Sequence, residues 1–264
     1  MPSIYTKSTK DLFEEFIHTF VPPPPMGFGL DVRKSLIDGG YFTRQEILTW
    51  FSEKYPKIKQ GTINAHLIVM STNAPSRVHH NLRPNGADDL LFQIDRTRFR
   101  PYMKNSDPSP IYRKDANAST AEDTDYTEEE TCETHEFAYE EDLRNFLVSN
   151  LQVIRPSFAV YQDGDIRGIE FPVGGKYIDI LAVENSKDLV VIELKVSKSY
   201  DRAVGQLLRY MGWISKNLAE PSQKVKGMII ARTISEDLRL AASRVNDIEL
   251  FEYQLSISLK RIDS

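Results

Sequence analysis

Two short apolar runs, KYIDILAV (176–183) and LVVIELK (189–195), carry charge where a buried strand should carry none. Each is too short for a core helix and rich in β-branched residues, so both read as strands. Residues 185–188 form a turn between them. Burying a carboxylate is costly unless it is paired or holds a metal. Asp179, Glu193 and Lys195 therefore mark either a misfit or a site.

The spacing gives these groups a geometry. Side chains alternate along a strand, so Glu193 and Lys195 share one face and Leu194 takes the other. A hairpin closed near Asn185 brings Asp179 beside Glu193. Two adjacent carboxylates repel unless a cation lies between them. Oxygen donors suit a hard ion such as Mg²⁺. A lysine there can orient or deprotonate a water and offset charge on a phosphate. Gln206 and Tyr210, four apart on a following helix, share a face. These parts suit hydrolysis of a phosphodiester by a metal-activated water.

Asp179, thirteen intervening residues and Glu193-Leu194-Lys195 resemble the PD-(D/E)XK nuclease motif. The run GQLLRYMGW (205–213), with Gln206 and Tyr210 as a QxxxY motif, narrows the resemblance to the C-terminal catalytic domain of the NucS/EndoMS endonucleases. It extends over about residues 140–231. It implies an α/β fold, a restriction-endonuclease-like mixed sheet flanked by helices. It also implies a DNA endonuclease that uses Mg²⁺, with Mn²⁺ as a substitute. Asp179 and Glu193 would be metal ligands, Lys195 would position the nucleophilic water, and Gln206 and Tyr210 would support the site. Relatives carry a further glutamate on the first helix of the domain. Glu140 shares a helical face with Leu143 and Leu147, whereas Glu141 lies about 100° away, so Glu140 is the better match.

The N-terminal half reads differently. TKDLFEEFIHTF (9–20) is an amphipathic helix, stopped by the prolines at 22–25. Residues 29–103 suggest a winged-helix-like α+β unit. Its first helix would run from 29 to 38. Thr43 and Glu46 form a capping box for the next, and Thr62 would cap the third, INAHLIVMST. In a helix-turn-helix the third helix enters the major groove, which nominates Thr62, Asn64 and His66 as DNA contacts. A basic stretch follows. Arg77 and Arg83 lie in a loop, and Arg96, Arg98 and Arg100 alternate along a strand that could serve as a phosphate-contacting wing. A plain three-helix domain with a charged edge strand fits the same residues. His79-His80 lacks a second pair at zinc spacing and reads as a loop feature.

Residues 122–136 hold eight acidic side chains and no Lys or Arg. The whole segment 104–136 reads as an acidic flexible linker between a recognition domain (1–103) and a nuclease domain (137–264). The net charge of −5 is unexpected for a DNA-binding protein, but removing the −8 of that stretch leaves +3. The nuclease half continues with paired strands in 156–171 turning at Asp163-Gly164, then a Gly174-Gly175 turn. Further on come a buried strand at 225–231, a helix at 235–245 and strands at 248–253 and 255–262. A lone Cys132 excludes a disulfide framework and a thiolate zinc site. No apolar run is long enough to span a bilayer, and the N-terminus lacks a secretory pattern, so a cytoplasmic setting is expected.

The sequence thus favours a restriction-type endonuclease on double-stranded DNA. A homodimer is expected, because cutting both strands takes two sites. A structure-specific repair nuclease and a non-cleaving DNA-binding regulator remain open alternatives.

Overall fold

The computed structural model describes residues 5–20, 40–83, 85–112, 133–196 and 202–254, with the side chains of 20 and 133–139 excepted. The expected helix at 29–38, most of the linker and the strand at 255–262 lie outside the described residues. Helix α1 (Thr9–Phe20) is followed by β1 (Phe42–Thr43), α2 (Arg44–Lys54) and α3 (Gln60–Met70). Strands β2 (Leu91–Gln93) and β3 (Arg98–Pro101) complete a small antiparallel sheet ordered β1-β3-β2. The Thr43–Glu46 capping box forms in full at the start of α2.

The second half opens with α4 (Glu133–Ser149), which begins inside the segment read as linker. Short strands β4 (Ala159–Val160), β5 (Gln162–Asp163) and β6 (Ile166–Arg167) lead into β7 (Ile169–Val173). The hairpin β8 (Lys176–Val183) and β9 (Leu189–Lys195) comes next. Then come α5 (Ala203–Asn217), β10 (Val225–Ala231), α6 (Glu236–Ala242) and β11 (Ile248–Glu252). The main sheet is ordered β11-β10-β9-β8-β4, and β7 also pairs β8. It is mixed: β8 is antiparallel to β7 and β9, while β10 runs parallel to β9 and β11.

Alternation decides what each face of this sheet meets. Ile180, Ala182, Val190, Ile192 and Leu194 pack against Leu143 and Leu147 of α4. The opposite face, with Leu181, Val191 and Ile229, packs against Leu207, Tyr210 and Ile214 of α5. Gly168 is required where β8 passes: a Cβ there would sit 2.1 Å from the Leu181 carbonyl oxygen.

The N-terminal elements share that second core. Phe13, Phe16, Phe51 and Leu67 belong to the same buried cluster as Phe171, Val173 and Ile178. Polar contacts fix the docking. Lys10 Nζ lies 2.9 Å from Asp88 and 3.1 Å from Asp165, Lys59 Nζ donates to the Leu218 carbonyl at 2.7 Å, and the Arg167 amide donates to His80 Nδ1 at 3.2 Å. Residues 104–112 are tied back too, with the Ile111 amide donating to the Thr72 carbonyl and the Tyr112 hydroxyl to Asp89.

Two N-terminal expectations are corrected. Thr62 does not cap α3, which starts two residues earlier from Lys59 without a side-chain cap. Nor is α3 a surface helix. Every residue from Ile63 to Met70 is buried, because the run is apolar nearly all round and becomes the centre of the unit.

His80 offers a test of the docking. Burial, with some help from the neighbouring positive charges, pushes its pKa from 6.5 down to about 3. The unfolded chain takes up a proton below pH 6.5 that the folded chain refuses until near 3. This contribution is complete above 6.5 and declines as pH falls toward 3. At pH 5.5 the loss is about 1.4 kcal/mol relative to pH 8. Urea unfolding of wild type and His80→Gln at both pH values should show their stability difference moving by about that amount. A pH-independent difference would mean that His80 is not held neutral.

Candidate active site

The β8–β9 register runs from Val183↔Leu189 to Ile180↔Ile192. One residue further, Asp179 stands across from Glu193. The turn that sets this register closes with the Glu184 amide bonded to the Asp188 carbonyl at 3.0 Å and Lys187 at φ +67. Asp179 Oδ2 accepts from the Leu194 amide at 2.8 Å, which anchors its carboxylate to the neighbouring strand. Glu193 is buried, and its Oε1 accepts from Lys195 Nζ at 2.8 Å. Its Oε2 is buried with no hydrogen-bond partner.

The electrostatics follow from this packing. Burial raises the Asp179 pKa, partly offset by Lys195 and the Leu194 amide. Burial and then the charge of Asp179 push Glu193 up to about 8. Burial would lower Lys195, but Glu193 and Asp179 more than offset it and hold the ammonium charged. One buried and one partly buried carboxylate against the Lys195 ammonium leave the pair short of positive charge.

Helix α5 covers this cluster. Gln206 Nε2 donates to the Tyr210 hydroxyl at 3.0 Å. Burial and then the charge of Glu193 raise the Tyr210 pKa. From the other side, Glu140 of α4 is close enough for its charge to act on both Glu193 and Lys195. Glu141 points outward and lies 3.8 Å from Arg144. The structure therefore brings together Asp179, Glu193, Lys195, Gln206, Tyr210 and Glu140.

Among the described residues no group of three His, Cys, Asp or Glu is arranged to hold a metal ion. The donors present are the Asp179–Glu193 pair. Mg²⁺ is commonly held by one or two carboxylates and keeps several waters, so the pair fits such an ion. The partnerless Glu193 oxygen is the observation that favours it.

Two residues that the D…ExK spacing does not nominate join the site, Glu170 and Arg144. Glu170 on β7 is buried with a left-handed backbone, φ +43, which costs a non-glycine residue about 1–3 kcal/mol. Its carboxylate pairs with the buried Arg144 of α4 at 2.8 Å. The signal was present: Glu170 and Asp179 are equidistant from the Gly174-Gly175 turn, so a hairpin there must bring them abreast.

The proposed DNA contacts fare differently. Asn64 accepts from Arg44 at 2.5 Å and His66 Nδ1 meets the Thr62 carbonyl at 2.8 Å, both buried inside the unit. Thr62 Oγ1 faces Asp163 at 3.4 Å. Arg77 is wholly buried against Asp89 at 2.8 Å. Arg83 is engaged by Asp88 at 2.6 Å, and Arg100 by Asp107 at 2.6 Å. Arg98 pairs with Asp95 at 2.6 Å but stays partly exposed, and Arg96 is exposed. In this fold Asn64, His66 and Arg77 cannot reach a DNA groove, and the basic stretch is largely neutralised by its own acids.

Residues 139–254 match the family model described as the endonuclease NucS C-terminal domain. The C-terminal unit is a NucS-like domain. Residues 32–101 match a domain of unknown function (DUF7669). Solved structures similar to the chain include a repair endonuclease from Pyrococcus abyssi, at 21% identity and a TM-score of 0.36, covering 62% of this chain and 61% of that one. An EndoMS–double-stranded DNA complex is 21% identical with a TM-score of 0.37, covering 50% of each chain. EndoMS in apo form is 22% identical with a TM-score of 0.35, covering 45% of this chain and 47% of that one. The chain thus spans about three fifths or less of the solved proteins it matches. No curated protein matches it. No described helix is long and apolar enough to cross a membrane.

The charge imbalance of the NucS-like site has a measurable cost. Asn at 179 keeps an acceptor for the Leu194 amide and removes one buried negative charge. In EDTA at pH 8, Asp179→Asn should be more stable than wild type by about 1 kcal/mol in urea unfolding. A less stable variant would mean that the carboxylates are already compensated without a cation.

Proposed function

We propose that the chain is a metal-dependent DNA endonuclease. The observation that carries this is Glu193: buried, paired to Lys195 through one oxygen, partnerless at the other, and across from a second, partly buried carboxylate. Such an arrangement is costly in a purely structural sheet and useful around a cation. The family match over 139–254 supports the endonuclease chemistry.

Asp179 and Glu193 would hold Mg²⁺, or Mn²⁺ in its place. When bound, the ion supplies charge neutralisation at the phosphate and acidifies a water. Lys195, kept protonated by its two neighbours, acts as a donor that orients the water and offsets phosphate charge, not as a proton acceptor. Gln206 and Tyr210 wall the cluster and limit the motion of Glu193. Glu140 adds a third carboxylate from α4, available to orient a water.

The burial of α3 weakens the main reason to favour a restriction-type enzyme, since the helix expected to read a groove has Asn64 and His66 buried inside the unit. Structure-specific cutting at mismatched, flapped or branched DNA is therefore the preferred reading of the substrate. We keep the homodimer as part of the proposal, because two strands cut in one encounter require two such sites.

The test uses unmethylated and modified plasmid beside mismatched, flapped and branched oligonucleotides. In Mg²⁺ the wild type should cut the distorted duplexes, and EDTA should abolish cutting. Asp179→Ala and Lys195→Ala should each lose at least about a hundredfold in rate. Discrete plasmid fragments would restore the restriction-type reading. Cleavage that survives EDTA or Asp179→Ala would overturn the metal-dependent site, and tight binding without cutting would point to a regulator.

A further inference from the structure

The strand pairing that sets Asp179 across from Glu193 also sets it beside Glu170. Strands β7 and β8 pair through Ile169↔Ile180 and Phe171↔Ile178, which leaves Glu170 abreast of Asp179 on the side away from Glu193. The Glu170 backbone leaves the strand region at that one residue, φ +43. Its carboxylate is buried and lies 2.8 Å from Arg144 Nη2. Arg144 is itself buried, one helical turn beyond Glu140 on α4. Arg144 Nε is buried without a hydrogen-bond partner, and Nη2 meets Glu170 as an ion pair without hydrogen-bond geometry. His79 of the N-terminal unit closes the cluster, its Nε2 3.5 Å from Glu170 Oε2. The charges of Arg144 and Glu170 are both felt at Asp179, the first lowering its pKa and the second raising it.

We propose that the Arg144–Glu170 ion pair is a positioning device for the candidate metal site. It pins the helix that carries Glu140 to the strand beside Asp179 and balances the charge there, so that it sets the site's affinity for a divalent cation. This rests on the metal-dependent reading above. Buried charges are weakly screened, so each member of the pair acts on a cation at Asp179 and Glu193 with its own sign. Neutralising Glu170 leaves Arg144 uncompensated and repels the cation. Neutralising Arg144 leaves Glu170 uncompensated and attracts it. Neutralising both returns the balance.

The experiment is a Mn²⁺ titration followed by electron paramagnetic resonance on metal-free protein, with Asp179→Asn marking binding at this site. Circular dichroism reports folding of each variant. Glu170→Gln should bind Mn²⁺ roughly tenfold more weakly than wild type, and Arg144→Gln more tightly. The Glu170→Gln/Arg144→Gln double variant should lie within about twofold of wild type. Should a single variant fail to fold, the double variant decides: wild-type affinity supports the inference and lost affinity overturns it. Single variants that both weaken binding also overturn it and leave the nuclease reading standing. Wild type without Asp179-dependent Mn²⁺ binding overturns the metal-dependent reading and this inference together.

Discussion

The structure depends on holding two carboxylates, Asp179 and Glu193, side by side inside a sheet. Neither desolvation nor mutual repulsion favours that arrangement. It persists because the surroundings over-determine it. The β8–β9 register has four paired couples before the acids are reached. Asp179 is tied to the Leu194 amide, and Glu193 is tied to Lys195. Apolar packing on both faces of β9 supplies the stability that lets two misfit charges stay.

The single core shared by the N-terminal unit and the sheet extends that support. Helix α3 is sandwiched between α1, α2 and strand β7, so it is a structural axle, not a probe. The docking contacts converge on the strands just before the site: Asn81 on Asp165, His80 on Arg167, His79 on Glu170. A change in how the N-terminal unit sits would be felt first at Glu170, the residue beside Asp179. The two halves are distinct by family match yet joined by packing.

Much of the site was legible in the sequence because hairpins are symmetric about their turns. The turn at 185–188 fixes the partner of Asp179 on β9 from spacing alone, and the i,i+4 rule places Gln206 beside Tyr210. Helical periodicity separated Glu140 from Glu141. Glu170 follows from the same symmetry applied to the Gly174-Gly175 turn, although it lies outside the D…ExK spacing. In the N-terminal half the helix at 9–20, the Thr43–Glu46 capping box and the paired strands were legible, but the placement of the third helix was not. INAHLIVM has no polar face, and a helix apolar all round belongs in a core. Its position as the third helix suggested a role that its composition denies. The pairing of the arginines was not legible, because charge in sequence does not reveal partners: Asp88, Asp89, Asp95 and Asp107 each pair with one in the fold.

That pairing bears on how a polyanion could approach at all. A net charge of −5 and internally compensated arginines give little long-range attraction for DNA. The unmet demand for positive charge lies instead at the carboxylate pair, where the proposed function would place a cation. Binding a divalent ion there reverses the local sign from repulsive to receptive toward a phosphodiester. In the proposed site the cation would therefore serve substrate binding as well as chemistry. The Arg144–Glu170 pair lies close enough to tune that reversal, and it joins the helix of Glu140, the strand beside Asp179 and the N-terminal unit in one buried cluster.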